Sequence, residues 1–313
     1  MTSGKRVAIL DMNDNAVNQG IRCLRDLVTK AGLEPIVYEA RYKNEYPELE
    51  DFDIFISSGG PGDPTVCLDT PWGRNFGNLL DGIYAHNLNP SNQRKYAFMI
   101  CHSFQMLVLH WDLATVNKRN STSFGILPVH KVEEALQDDV MFEGLADPFY
   151  IVDSRDYQIV QPNQTQMIEK GCEVICLEKI RDHVPYERAV MAIRFSPEIV
   201  GTQFHPEADV ESMKFYLYSP AKMEYVKERY GENKYADMVR LIDEDWAVQA
   251  TNAQIIPSFL EAACFGSLVT SWDYCQPLID RLRFLKGLVF VNQPIKLVCK
   301  QPKTTDIWLF YST

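Results

Sequence analysis

Between Val7 and Trp111 the chain alternates short, wholly apolar runs with longer segments whose apolar residues recur every three or four positions. A continuous apolar run of four or five residues fits a strand buried on both faces, and the intervening spacing fits the helices that bury it. That alternation restricts the fold to the α/β class, a doubly wound, mainly parallel sheet covered on both sides. The expected strands are Val7-Ala-Ile-Leu10, Pro35-Ile-Val-Tyr38, Phe52 to Ile56 and Tyr96-Ala-Phe-Met-Ile100. Helices are expected over Gly20 to Ala31, with Ile21, Leu24, Leu27 and Val28 on one face, and over Asn75 to His86. A third begins at Gln105 and runs to Trp111.

From residue 123 to 205 the pattern changes to short strand-like pieces: Phe124 to Val129, Phe149 to Val152, Glu173 to Cys176, Ala189 to Ile193 and Ile199 to Phe204. These suit antiparallel additions to the sheet. Residues 209–263 read as helical, as in Tyr235 to Ile242 and Ile255 to Ala263, and form a C-terminal extension. Residues 264–313 carry no motif.

Open α/β sheets bind ligands beyond the carboxyl ends of their strands. Three chemically distinctive blocks follow strand ends: Gly59-Gly60-Pro61-Gly62, Cys101, and Gly201-Thr-Gln-Phe-His205-Pro-Glu207. Together they offer a thiol, an imidazole and a carboxylate, the groups a cysteine nucleophile needs to attack a carbonyl. A thiol on a strand-to-helix turn sits at the positive end of the helix, which favours the thiolate. If the strand continues through it, His205 and Glu207 face one side, being two residues apart. Glycines let backbone N–H groups approach a substrate oxygen closely.

The blocks Ser57-Ser-Gly-Gly-Pro-Gly-Asp-Pro64, Ile100-Cys-His-Ser-Phe-Gln105 and Gly201 to Glu207, in this order, resemble those of the class I (triad-type) glutamine amidotransferases. The texture is similar to stand-alone, GMP-synthetase-like members. The resemblance covers residues 5–210 as one flavodoxin-like amidotransferase domain, leaving 211–263 as a helical extension and 264–313 without a role. It implies Cys101 as nucleophile, His205 as base and acid, and Glu207 as the group that orients the imidazole. It also implies Gly60 and His102 N–H groups as the oxyanion hole, and Gly59, Pro61, Gly62 and Gln105 as substrate contacts. The substrate would be glutamine or another γ-glutamyl amide, with no cofactor and no metal.

The chain departs from that pattern at Met99 and Ser103, where the family usually has small residues, mostly glycine, and at Phe104, often His or Met. Asp153-Ser-Arg-Asp156 stands where related enzymes often carry a His-x-Asp loop. Arg155 there fits either a substrate carboxylate or a surface pairing with Asp153 or Asp156. The run Lys179 to Arg188 reads as a solvated connection, and Trp72 and Trp111 as core or rim packing.

A net charge of −11 argues against nucleic-acid and anionic-membrane surfaces, which need clustered cations. The eight cysteines show no Cys-x-x-Cys pair and no zinc-like spacing, so buried reduced thiols are expected, Cys172 and Cys176 among them. The N-terminal apolar run is too short for a signal peptide, and the cytosol is the default compartment. The sequence has neither a Gly-x-x-x-x-Gly-Lys-Ser/Thr loop nor a Ser-Gly-Gly-x-Asp-Ser loop. A synthetase role would therefore call on a separate ATP-dependent subunit to use the ammonia. Two alternatives stay open: a γ-glutamyl amide or peptide hydrolase without a partner, and a binding protein in which Met99 has spoiled the elbow.

Overall fold

The computed structural model describes residues 4–16, 18–132, 139–180, 187–243 and 246–265. Its centre is a sheet of nine strands among the described residues, in the order β2-β1-β3-β4-β9-β8-β6-β5-β7. The strands are β1 (Val7–Leu10), β2 (Pro35–Tyr38), β3 (Ile54–Ser57), β4 (Tyr96–Ile100), β5 (Ala114–Lys131), β6 (Phe149–Pro162), β7 (Glu173–Glu178), β8 (Val190–Ser196) and β9 (Ile199–Thr202). From β2 to β9 neighbouring strands run parallel, and from β9 outward they run antiparallel. The doubly wound α/β expectation with antiparallel additions therefore holds.

Alternation along β4 shows how the sheet is buried on both faces. Tyr96, Phe98 and Ile100 join one apolar cluster with Val7, Ile9, Leu24 and Phe259, while Ala97 and Met99 join the other with Leu10, Phe55, Phe76 and Phe104. Helices α1 (Gln19–Lys30) and α9 (Trp246–Phe265) contribute to the first face, and α3 (Pro71–Leu88) and α4 (His102–His110) to the second. Local signals set the helix starts. Asn18 caps α1 through the N–H of Gly20, and Thr70 caps α3 through that of Gly73, with Pro71 at the first helical position.

Strand β5 begins ten residues earlier than its apolar stretch at Phe124. Its stretch from Asn117 to Thr122 is polar and largely exposed, and it is held by pairing with β6 at Asn117 and Lys118 and again from Ser123, across a bulge. Strand β6 likewise runs straight through Asp153 to Asp156, where a loop was the expectation. The short helices α2 (Pro64–Cys67) and α5 (Gln164–Lys170) were not anticipated, although Asn163 and Gly171 cap α5 in the ordinary way.

Helices α6 (Val210–Leu217), α7 (Pro220–Tyr230) and α8 (Glu232–Asp243) build a third cluster on the outer face of the β5–β6 pair, where Met213, Leu217, Met238 and Ile242 meet Ile126 and Val152. No described helix is long and apolar enough to cross a membrane. Residues 266–313 and the centre of the charged run, 181–186, lie outside the described residues.

Candidate active site

The site forms where β3, β4 and β9 end side by side, Ser57 opposite Met99 and Ile100 opposite Thr202. Cys101 lies between β4 and α4 with φ 51° and ψ −101°, a left-handed conformation that side chains other than glycine rarely adopt. Such strain persists only where the surroundings over-determine it. Here the Cys101 N–H donates to Thr202 O at 2.7 Å, and its carbonyl accepts the first helical bond from Gln105 at 3.0 Å. Ser103 completes the elbow: its buried Oγ accepts from Ile100 N–H at 2.9 Å and lies 3.1 Å from Ser57 O. The serine thus ties the end of β4 to the start of α4.

Met99 does not crowd Cys101. Its side chain lies in the cluster on the other face of the sheet from Ile100 and Cys101. Phe104 fits because residue 201 is glycine: a Cβ there would stand 2.5 Å from Phe104 Cδ2 and 3.2 Å from Phe195.

Strand β9 stops at Thr202, so His205 and Glu207 are not strand neighbours. A turn brings them together instead. His205 N–H donates to Val152 O on β6 at 2.9 Å, and Glu207 Oε1 lies 2.8 Å from His205 Nδ1. Glu207 is 3% exposed and its Oε2 has no hydrogen-bond partner among the described residues. Burial opposes protonation of His205. The Glu207 carboxylate and the Cys101 sulfur outweigh it and hold the imidazole pKa well above 6.5. His205 thus lies with the Cys101 sulfur and the Glu207 carboxylate as its charged neighbours.

The glycine turn closes the third side. A Cβ on Gly59 would lie 2.8 Å from His205 Cε1 and 3.4 Å from Cys101 Cβ, and one on Gly60 would collide with the Met12 carbonyl. His102 opens α4, where first-turn N–H groups have no intrahelical partner. Its own ring is buried against Trp72, and burial lowers its pKa to about 4, so it is neutral.

The sequence model for glutamine amidotransferase class-I matches residues 8–219. The chain belongs to the class-I glutamine amidotransferases. A glutamine amidotransferase from Thermotoga maritima aligns in structure with a TM-score of 0.62 at 14% identity, over 83% of this chain and 98% of that one. A glutamine amidotransferase from Methylobacillus flagellatus gives 0.53 at 16% identity, over 80% and 94%. Likeness at this identity is likeness of fold. No curated relative matches the chain.

Around the amidotransferase elbow, several side chains take parts that spacing did not foretell. Gln105 is buried, its amide donating to Gln203 Oε1 at 2.9 Å and Tyr157 O at 3.3 Å. Gln203 in turn points its own amide N–H at Cys101 Sγ, 3.6 Å away. Arg41 braces the outer half of the glycine turn, donating to Pro61 O at 2.5 Å, with its guanidinium over the Trp72 ring and beside Gly62, whose φ is +97°. Pro61 and Gly62 are exposed there, whereas Gly59 and Gly60 face the thiol and Met12. Asp63 caps α2, and its carboxylate pushes the pKa of Tyr157 on β6 up to about 12.

Arg155 is neither a surface residue nor paired with Asp156. It is 1% exposed, with Nε 3.1 Å from Asp153 Oδ2 and an ion pair to Glu178. Its neighbour Ser154 turns a carbonyl toward Cys101 Sγ at 3.9 Å. Trp111 is a core residue whose Nε1 donates to Asp81 at 2.8 Å. Cys172 and Cys176 are free and buried, and burial pushes both thiols up, Cys172 to about 12. No group of three or more His, Cys, Asp or Glu side chains among the described residues could hold a metal ion.

Proposed function

We propose that the chain hydrolyses the side-chain amide of glutamine through Cys101, His205 and Glu207 and delivers the ammonia to a separate ATP-dependent synthetase subunit, as in a GMP-synthetase-like assembly. The observation that carries this reading is the meeting of Cys101 at a strained elbow with a His205–Glu207 pair at 2.8 Å. The sulfur attacks the amide carbon, and the oxyanion is received by the N–H groups of Gly60 and His102. His205 gives its proton to the departing nitrogen, so ammonia leaves and a γ-glutamyl thioester remains. His205 then takes a proton from water, whose oxygen attacks the thioester. Glutamate departs and the sulfur regains its starting state. Glu207 keeps the imidazole in the tautomer both steps need.

A glutamine analogue bearing an electrophile at the amide carbon tests the reading. One equivalent is expected on Cys101 of the wild type and none in Cys101→Ala. A folded wild type that takes up no label overturns it. Hydrolysis of a larger γ-glutamyl amide in preference to free glutamine would move the assignment to a γ-glutamyl hydrolase.

A further inference from the structure

Helix α9 reaches the site from far along the chain. Asn252 Nδ2 donates to Glu207 O at 2.9 Å and to Pro206 O at 3.4 Å. The preceding residue, buried Thr251, donates its hydroxyl to Tyr150 O at 2.6 Å, on the strand whose Val152 O accepts the His205 N–H. Two consecutive side chains of one helix thus hold both the turn bearing the acid and the strand that anchors the base. The acid needs such a hold. Its Oε2 has no partner among the described residues, so its side chain is gripped at one oxygen and its aim depends on the main chain beneath it. An amide NH2 carries two donors, enough for two successive carbonyls that would otherwise repel each other across the turn.

We propose that Asn252 is a positioning residue for this site, fixing the main chain of residues 206–207 so that Glu207 Oε1 meets His205 Nδ1. The helical extension is then part of the apparatus that aligns acid and base. The inference rests on the triad reading above.

The test compares Asn252→Ala and Asn252→Leu with Gln254→Ala in the full chain. Gln254 lies on the same helix and makes a similar bond, Nε2 to Val140 O at 3.0 Å, away from residues 205–207. The His205 imidazole titration is followed by NMR, and kcat and KM are measured for glutamine hydrolysis. Both Asn252 variants should bring the His205 midpoint down toward 6.5. They should lower kcat about tenfold to a hundredfold with little change in KM, the scale expected of a small misplacement. Gln254→Ala should leave both readouts at wild-type values. An unchanged midpoint and kcat in the Asn252 variants overturns the proposal, as does an equal change in Gln254→Ala. The titration reads the acid–base contact without turnover. A protein whose Cys101 takes no label therefore overturns the hydrolase reading, while the midpoint still decides the role of Asn252.

Discussion

Glu207 presses one oxygen on His205 and keeps the other buried, so replacing it changes charge without emptying the site. Glu207→Gln is expected to stay folded and to lower the glutamine hydrolysis rate about a hundredfold, while His205→Ala costs at least about tenfold more, because it removes the proton carrier itself. Steady-state kinetics with circular dichroism as the folding control measures both. A second consequence concerns stability. Because the folded protein raises the His205 pKa above 6.5, it favours the imidazolium. That stabilisation is complete below the unfolded value and fades as pH climbs through the higher folded one. The melting-temperature gap between wild type and Glu207→Gln should therefore be widest below pH 6.5 and narrow as the pH climbs through the raised folded-state value. A gap that widens on the alkaline side would contradict the ion pair.

At the level of elements, the elbow depends on fits between strand and helix. Ser103→Ala leaves the Ile100 N–H buried without its acceptor and should lower unfolding free energy by about 1–3 kcal/mol, read from the denaturant midpoint at constant slope. Gly201→Ala drives a methyl into the Phe104 ring and should cost about 1–3 kcal/mol, much of it recovered when Phe104→Leu is added. The same scale shows what could be read from the sequence. Strands β1, β2 and β4 were legible residue for residue; four or five consecutive apolar side chains suit β1 and β4, which are buried on both faces, while β2 is a half-buried edge strand. Cys101, His205 and Glu207 were legible as candidates because few structures need those groups after strand ends. The polar half of β5 was not, since its strand character comes from its partner β6 rather than from its own side chains. Gln203, Arg41 and Asn252 were not legible either. Each is a polar residue whose role comes from a partner far along the chain, 102 positions away for the Cys101 contact of Gln203, and periodicity is blind to such pairs. His205 and Glu207 do neighbour each other, but through a turn and not through the two-residue repeat of a strand.

Across the whole molecule, order is pinned by buried charge as well as by apolar layers. Arg194 on β8 is 2% exposed and grips Asp139, just before the turn Val140–Phe142 on which α9 packs. Asp139→Ala strands a guanidinium in the interior and should cost about 3–5 kcal/mol in chemical unfolding, with activity per folded molecule unchanged at low temperature. Loss of activity without loss of stability would place that pair in the site after all. The packing that surrounds Cys101 leaves it only 6% exposed. A broad, dye-bearing maleimide is therefore expected to label Cys101 more slowly than a small haloacetamide, read by mass spectrometry of the modified peptide, and equal rates would contradict that shielding.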